Sequence, residues 1–393
     1  MTLPLSYSWR NVRARPLRSL LTAGVIALVV LACTLLLGLI SSISRTFTST
    51  GNDLNLVVLR KGSDNDGSSQ ISLEAYQALR FLDGIAARPA DGRPLISPEL
   101  VVQPFFRTRD GGRENVLVRG VEEVALDVHD QVQITEGRMI RPSSGEAIVG
   151  KGVAGRYRGT ELGGQIEFGR GTWTVVGLFE AEGTSFESEV WIDVRELAAD
   201  AKRVLPYSGA RIRAASRADM ERLERRIDDD PRFALEAKPE SVYYAEQSSA
   251  SQSLYVIVIA VAILAGVGAS FGAANTMYAS VQARTAEIGT LRALGFSRGT
   301  ILWAFEMEAL CLAFLGFALG AVGALGAASL VRSALGGVAV GAATFTTSVV
   351  EVQVDPRNLG VALVLSIIIG AAAGLGPAWR ASRLPPIEAL RKI

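Results

Sequence analysis

The segment 277-MYASVQARTAEIGTLRALGFSRGT-300 decides how the chain must be organised. Its apolar residues Val281, Ile288, Leu291, Leu294 and Phe296 recur at roughly helical spacing, while Arg284, Glu287, Arg292 and Arg298 fill the polar side. Gly295 fits the position just past a helix end, and Ser297 fits the N-cap of the next helix. Long apolar runs flank the segment on both sides. A charged helix of this length does not cross a bilayer. It must lie at the membrane surface, on the cytoplasmic side by the arginine placement below, where a soluble partner can push on it.

Working outward, the apolar runs read as spans. A bilayer core of about 30 Å needs about 20 helical residues. Residues 19–43 meet that length. The competing reading, a cleaved signal peptide, would have an apolar part of roughly 7–15 residues and an A-x-A cleavage site. The run here is longer and no such site follows, so it is read as a retained anchor. The other spans are 254–276, 301–330 and 359–373.

Arginine placement orients them. Arg10, Arg13, Arg15 and Arg18 precede the first span without an acidic residue. Arg284, Arg292 and Arg298 lie in the 277–300 segment, and Arg380, Arg383, Arg391 and Lys392 in the tail 374–393. The connection 331–358 carries only Arg332 and Arg357 against Glu351 and Asp355. The positive-inside bias therefore puts the N-terminal segment 1–18, the central segment and the tail in the cytoplasm. Residues 44–253 and the short loop 331–358 are then outside. The expected fold class is an α-helical membrane protein with four transmembrane helices and a large α+β extracytoplasmic domain inserted between helices 1 and 2.

Composition agrees with that mixture. Of 393 residues 49% are hydrophobic, yet 20% are charged, and the formal charge is only +1. A nucleic-acid partner would call for a basic surplus, which is absent. The two cysteines, Cys33 and Cys311, sit inside apolar runs and read as small core residues, so no disulfide framework is expected outside the membrane.

Three spans carry a G-x-x-x-G: Gly268/Gly272, Gly316/Gly320 and Gly370/Gly374. Glycines at that spacing share a helix face and let backbones approach, so these helices read as tightly bundled or dimerising. Glu306 and Glu308 fall in the first two turns of the third span. An acidic residue in a span is a functional hypothesis. The plainer reading is that both reach the interface, where a helix N-terminus favours carboxylates.

In the outside segment, 55–60 reads as a strand and 61–70 as a Gly/Ser/Asp loop. Ser72 reads as the N-cap of a helix to Phe81. The runs 100–108 and 115–121 flank Asp110-Gly111-Gly112, and 165–168 and 172–179 flank Gly169-Arg170-Gly171, which suggests two hairpins. Further strands are expected at 190–194 and 210–213. Ser216 with Asp219 resembles a capping box opening a helix to about Asp228. No long apolar face stands out.

Catalytic chemistry finds little support. Residues 145-GEAIVGKG-152 come within one residue of a P-loop, but Gly152 stands where Ser or Thr would hold Mg²⁺. A glycine-rich turn leading into a helix explains the run. No other stretch offers such a motif. His129 is the only histidine, which excludes His-rich metal sites. No G-x-S-x-G elbow supports a triad, and His129 reads as a surface residue in a polar loop. No catalytic residue, metal site or cofactor is assigned to this chain.

The run 280-SVQARTAEIGTLRALGFSRGTI-301, with Phe305-Glu306-Met307-Glu308, resembles the signature of the MacB/FtsX-type permeases. So does the ending from Gly376-Pro377-Ala378-Trp379 to Arg391. The opening Trp9-Arg10-Asn11 with the run from Arg15 to Thr22 resembles that family's N-terminus. These are four-span subunits of ABC transporters working by mechanotransmission. The resemblance implies an outside domain in two parts: a porter-like part, 51–108 and 206–245, and a mostly β insert, 109–205. Helical stalks would join it to the membrane. It implies docking of a cytoplasmic ABC ATPase on Arg284, Glu287, Ile288, Leu291, Arg292, Ala293 and Phe296, with ATP and Mg²⁺ held by that partner. Glu308 matches the family's acidic position; Glu306 stands where the family often has an uncharged polar residue.

A second permease copy or a paralogue would complete a dimer in the bacterial inner membrane, among membrane lipids. In the MacB-like branch a periplasmic adaptor and an outer-membrane channel complete export. In the FtsX-like branch the outside domain activates a cell-wall hydrolase, and a related branch extracts lipoproteins. A reading from another class, a membrane-anchored extracytoplasmic enzyme, would leave the 277–300 motif unexplained.

Overall fold

The computed structural model describes residues 16–335, 338–341 and 347–385. The N-terminal motif at Trp9-Arg10-Asn11, Arg13, Arg15 and the tail from Pro386 to Ile393 lie outside the described residues. The chain divides into two units. One comprises 1–41, 253–334 and 352–393; the other comprises 42–252 and 335–351.

The first unit is built on four helices long and apolar enough to cross a membrane. Helix α1 runs Pro16–Thr50. Nothing in it breaks the pattern, so the span and the following residues 44–50 form one helix. The outside segment between Asn55 and Pro239 holds twelve strands, described below. Helix α6 then runs Glu240–Ala283, again without a proline to stop it. Helix α7 is Thr285–Ala293, α8 is Arg298–Leu335 and α9 is Pro356–Ser382. Pro356 opens α9 where its missing N–H costs nothing.

The glycine pairs separate into two kinds. A Cβ on Gly316 would lie 2.8 Å from Ile26 Cβ, and one on Gly320 2.6 Å from the Ala27 carbonyl, so α8 lies directly on α1. A Cβ on Gly370 would meet Ala313 Cβ at 2.5 Å, and one on Gly374 would meet Glu306 Oε2 at 2.6 Å, so α9 lies directly on α8. Gly268 and Gly272 on α6 meet nothing within 4 Å. The apolar core of the bundle is Ile26, Val30, Ala269, Ala313, Ala362 and Ile369.

The second unit holds strands β1 (Asn55–Arg60), β2 (Ile96–Val102), β3 (Phe105–Arg107), β4 (Arg113–Asn115), β5 (Leu117–Val121), β6 (Gln133–Gly137), β7 (Glu146–Gly150), β8 (Gln165–Phe168), β9 (Gly171–Glu180), β10 (Glu189–Asp193), β11 (Gly209–Arg213) and β12 (Leu235–Pro239). Between them lie helices α2 (Leu73–Leu79), α3 (Ala125–Val128), α4 (Val194–Asp200) and α5 (Arg217–Asp228). One sheet runs β12-β1-β11-β2-β5-β10-β7-β9-β6, with β8 on β9. Strands β1, β2, β11 and β12 occupy one end of it and β5 to β10 the other, while β3 and β4 pair separately. The two groups meet where Leu100 pairs with Gly120.

Local signals act as the chemistry requires. Ser72 Oγ accepts from the Ala75 amide to start α2, and Ser216 Oγ accepts from the Asp219 amide to start α5. The hairpin β3–β4 turns through Gly111, and β8–β9 turns through Gly169 and Arg170. Two expectations fail, and the 331–358 loop holds a hairpin not expected from the sequence. Residues 146–150 are strand β7 followed by turns rather than a turn leading into a helix, because Ala147 and Val149 are drawn into the core. Part of the 331–358 loop forms a two-stranded hairpin, β13 (Val338–Gly341) and β14 (Thr347–Val350). The absence of a long apolar face is also overturned. Strands β1, β2 and β10 are buried almost throughout; Leu56 to Leu59 of β1 form a continuous apolar run, while β2 and β10 bury Ser97, Glu99, Glu189 and Asp193 among their apolar residues.

Both faces of the sheet are covered. One face packs Leu56, Val58, Leu100, Val118 and Ile192 under α2, α4 and α5. The other packs Val57, Val121, Ile148, Phe179 and Trp191 with Tyr243 and Tyr244 from the first turns of α6. Among these apolar residues sits a buried charge network. Arg119 donates from Nε and Nη2 to Glu189 at 2.7 and 2.6 Å, and from Nη1 to Glu99 at 2.7 Å. Arg211 donates from Nη2 to Asp66 at 2.8 Å, and Tyr243 donates its hydroxyl to the same carboxylate.

His129 completes the network and corrects its placement on the surface. It is fully buried, 2.6 Å from Glu99 and against the rings of Phe186 and Trp191. The short helix α3 carries it under the sheet, which its polar neighbours in sequence do not reveal. Glu240, the first residue of α6, accepts from the Asn55 side chain and the Asn52 amide. Beside it, a Cβ on Gly51 would lie 2.6 Å from Ser241 Cα, so the chain enters and leaves the domain at a backbone-to-backbone contact.

Candidate functional site

The site is the break between α6 and α8. Helix α6 carries on seven residues past Thr276 and stops at Ala283, so the separate helix is shorter than the 277–300 segment suggests. Arg284 leaves helical geometry at φ −117° and ψ 16°, and α7 begins at Thr285. The cause is visible in what Arg284 does. Its Nη1 donates to Glu308 at 2.9 Å and its Nε to Glu287 at 3.2 Å. Its guanidinium sits 5.1 Å from the centre of the Phe305 ring. Only 5% of the residue is exposed.

Beyond α7 the chain turns on Gly295, whose φ of +93° suits glycine. Arg292 Nη1 donates to the Phe296 carbonyl at 3.0 Å and holds the turn. Ser297 Oγ then accepts from the Thr300 amide and starts α8.

The seven residues expected to face a partner divide. Arg284 and Ile288 are turned inward; Ile288 joins Met277, Val281, Ile301 and Phe305 in an apolar cluster. Leu291 and Phe296 are half-buried against that cluster, and Arg292 is half-buried as well. Glu287 and Ala293 are exposed. The outer edge also presents Thr290, Leu294 and Arg298. Leu294 is 69% exposed, a large apolar side chain at the tip of a charged segment. Helical spacing groups it with the buried positions; only the early end of α7 sets it apart.

Glu308 is buried in its pair with Arg284. Glu306 is buried too, but it faces Gly374 on α9, and its Oε2 has no hydrogen-bond partner among the described residues. Adjacent signals in the sequence thus serve different helices. No group of three His, Cys, Asp or Glu side chains that could hold a metal occurs among the described residues.

Residues 19–230 match the MacB-like periplasmic core domain, and residues 257–386 match the FtsX-like permease C-terminal family. The chain is 25% identical over 353 residues to the macrolide export ATP-binding/permease protein MacB of Hahella chejuensis, covering 81% of this chain and 48% of that protein. It therefore spans about half the length of that relative. It is 26% identical to the uncharacterized ABC transporter permease YvrN of Bacillus subtilis, covering 98% of both chains. The crystal structure of the periplasmic region of MacB from Actinobacillus actinomycetemcomitans aligns at a TM-score of 0.38 and 10% identity, over 51% of this chain and 94% of that one.

The protein spans the membrane several times and carries an extracytoplasmic domain, and the chain belongs to the MacB/FtsX-type family of ABC transporter permeases.

Proposed function

We propose that this permease couples ATP hydrolysis by a separate cytoplasmic ABC ATPase to movement of its extracytoplasmic domain, which expels or extracts a substrate. The observation that carries the reading is the outer edge of α7 and its turn: Glu287, Thr290 and Ala293 exposed on a short helix locked at its start to α8 through Arg284, with Leu294 and Arg298 exposed just beyond it. Leu294 supplies an apolar anchor, and Glu287 and Arg298 supply charges around it, the composition of a small interface core with a polar rim. Arg284 and Ile288 then act from behind, fixing the helix so that a push on it moves α6 and α8. ATP and Mg²⁺ belong to the partner. Positive-inside bias supports α7 and both termini in the cytoplasm of an inner-membrane protein, and the resemblance to the family supports a dimer. An adaptor and outer-membrane channel fit the MacB-like branch.

The test is co-purification of the permease with the ATPase encoded beside it, wild type against Glu287→Arg with Leu294→Asp. Loss of the complex, with the variant still folded and membrane-inserted, supports the coupling role. A variant that binds the ATPase and supports its turnover like wild type removes it.

A further inference from the structure

The bundle contains a polar cavity of about 140 Å³. At about 10–15 Å³ per water-sized probe, it holds on the order of ten waters. Its walls come from four helices. Helix α1 gives Arg18, Ser19 and Thr22; α6 gives Thr276 and Ser280; α7 gives Glu287, with Arg284 just before it; and α8 gives Glu308. Thr22 and Thr276 are joined through their hydroxyls at 2.7 Å and tie α1 to α6.

Depth and charge limit what fits. Arg18 stands immediately before the apolar run of α1, and Arg284 is the first residue past the membrane-length helix α6, which ends at Ala283. The cavity therefore opens where hydrocarbon gives way to lipid headgroups. Two guanidiniums and two carboxylates line it, so the walls balance to zero. Arg284 is shared between Glu287 and Glu308, leaving an acidic excess at that end. Arg18 is exposed and has no ion-pair partner among the described residues, leaving a basic excess at the other. Hydroxyls of Ser19, Thr22 and Ser280 line the space as well. A simple anion would meet two carboxylates, and a simple cation two guanidiniums.

We propose that this cavity is a binding site for a zwitterionic phospholipid headgroup, its phosphate at Arg18 and the neighbouring hydroxyls and its primary ammonium at Glu287 and Glu308. Phosphoethanolamine has both charges and an ammonium that donates hydrogen bonds; phosphocholine cannot donate, and phosphoglycerol has no cation. The acyl chains would lie along the outer surfaces of α1 and α6. The lipid would then rest against the root of α7. The inference depends on the membrane-spanning reading and not on ATPase docking, so either can fail without the other.

The test is native mass spectrometry of the full chain released from nanodiscs of phosphatidylethanolamine, phosphatidylcholine and phosphatidylglycerol in equal parts. Retained lipid should be phosphatidylethanolamine in clear excess. Arg18→Gln, which removes a charge-assisted bond to the phosphate, should lower retention about tenfold, as should Ser280→Leu, which fills the cavity. Soluble phosphoethanolamine should compete, since the headgroup carries the recognition; competition by inorganic phosphate alone would assign the site to free phosphate and overturn the lipid. Equal retention of the three lipids, a preference for phosphatidylglycerol, or full retention in both variants overturns it as well.

Discussion

Replacing Arg119 by Met tests what the buried charges do for the extracytoplasmic domain. The guanidinium is 2% exposed on β5 and makes three hydrogen bonds of 2.6–2.7 Å to Glu189 and Glu99. Methionine keeps much of the volume but leaves Glu189 as a buried carboxylate with only the Trp191 indole N–H, at 2.8 Å, to answer it. Breaking a buried pair from one side costs about 3–5 kcal/mol. For a domain of roughly 200 residues, about 2–4 °C of melting temperature accompanies each kcal/mol, giving a drop of about 6–20 °C. Glu189→Leu alone should cost a similar amount.

Arg119→Met with Glu189→Leu should cost less than the two singles added, because no uncompensated charge remains between β5 and β10. Glu99 keeps His129 at 2.6 Å in that variant. The assay is thermal unfolding of the full chain in nanodiscs, with amide protection of β5 and β10 measured in parallel. The reasoning is refuted if Arg119→Met alone costs under about 1 kcal/mol, or if the two changes simply add.

Two further outcomes follow from other buried contacts. Gly370→Ala should destabilise the bundle by about 1–3 kcal/mol, because the new Cβ meets Ala313 on a rigid helix, while Gly268→Ala should be near neutral; resistance of the bundle to proteolysis in bilayers separates them. Burial opposes the ionised form of Glu99, yet contacts with His129, Arg119 and Arg211 hold its carboxyl below the usual range, and Arg211 does the same for the buried Asp66. Their stabilisation is present above the unfolded-state value near pH 4 and is lost as pH falls through the lower folded values; Arg211→Met should therefore raise the midpoint of acid unfolding, read by tryptophan emission.

How much of this was legible depends on how local each cause is. The four spans and the cap residues Ser72, Ser216 and Ser297 are set by neighbours within a few positions, so they can be read directly. Hairpins flagged by Gly111 and Gly169 are local in the same way. His129 is not, since its surroundings come from Glu99, Phe186 and Trp191, each at least 30 positions distant in sequence. Arg284 shows the same limit at the site: helical spacing puts it on the polar side, and only Glu308, 24 residues on, turns it inward. The distinction between Gly268 and Gly370 likewise depends on which helix lies opposite.

The contact of Gly51 with Ser241 has a consequence for how such proteins diversify. A domain whose two ends touch can be exchanged as a cassette, because only the short gap between them must be bridged. Between Gly51 and Glu240 the sheet can lengthen, shorten or take on new surface while α1 and α6 keep their register in the bilayer. One membrane engine can then be fitted to many kinds of load by changing the 188 residues between two neighbouring points, with the bundle left untouched.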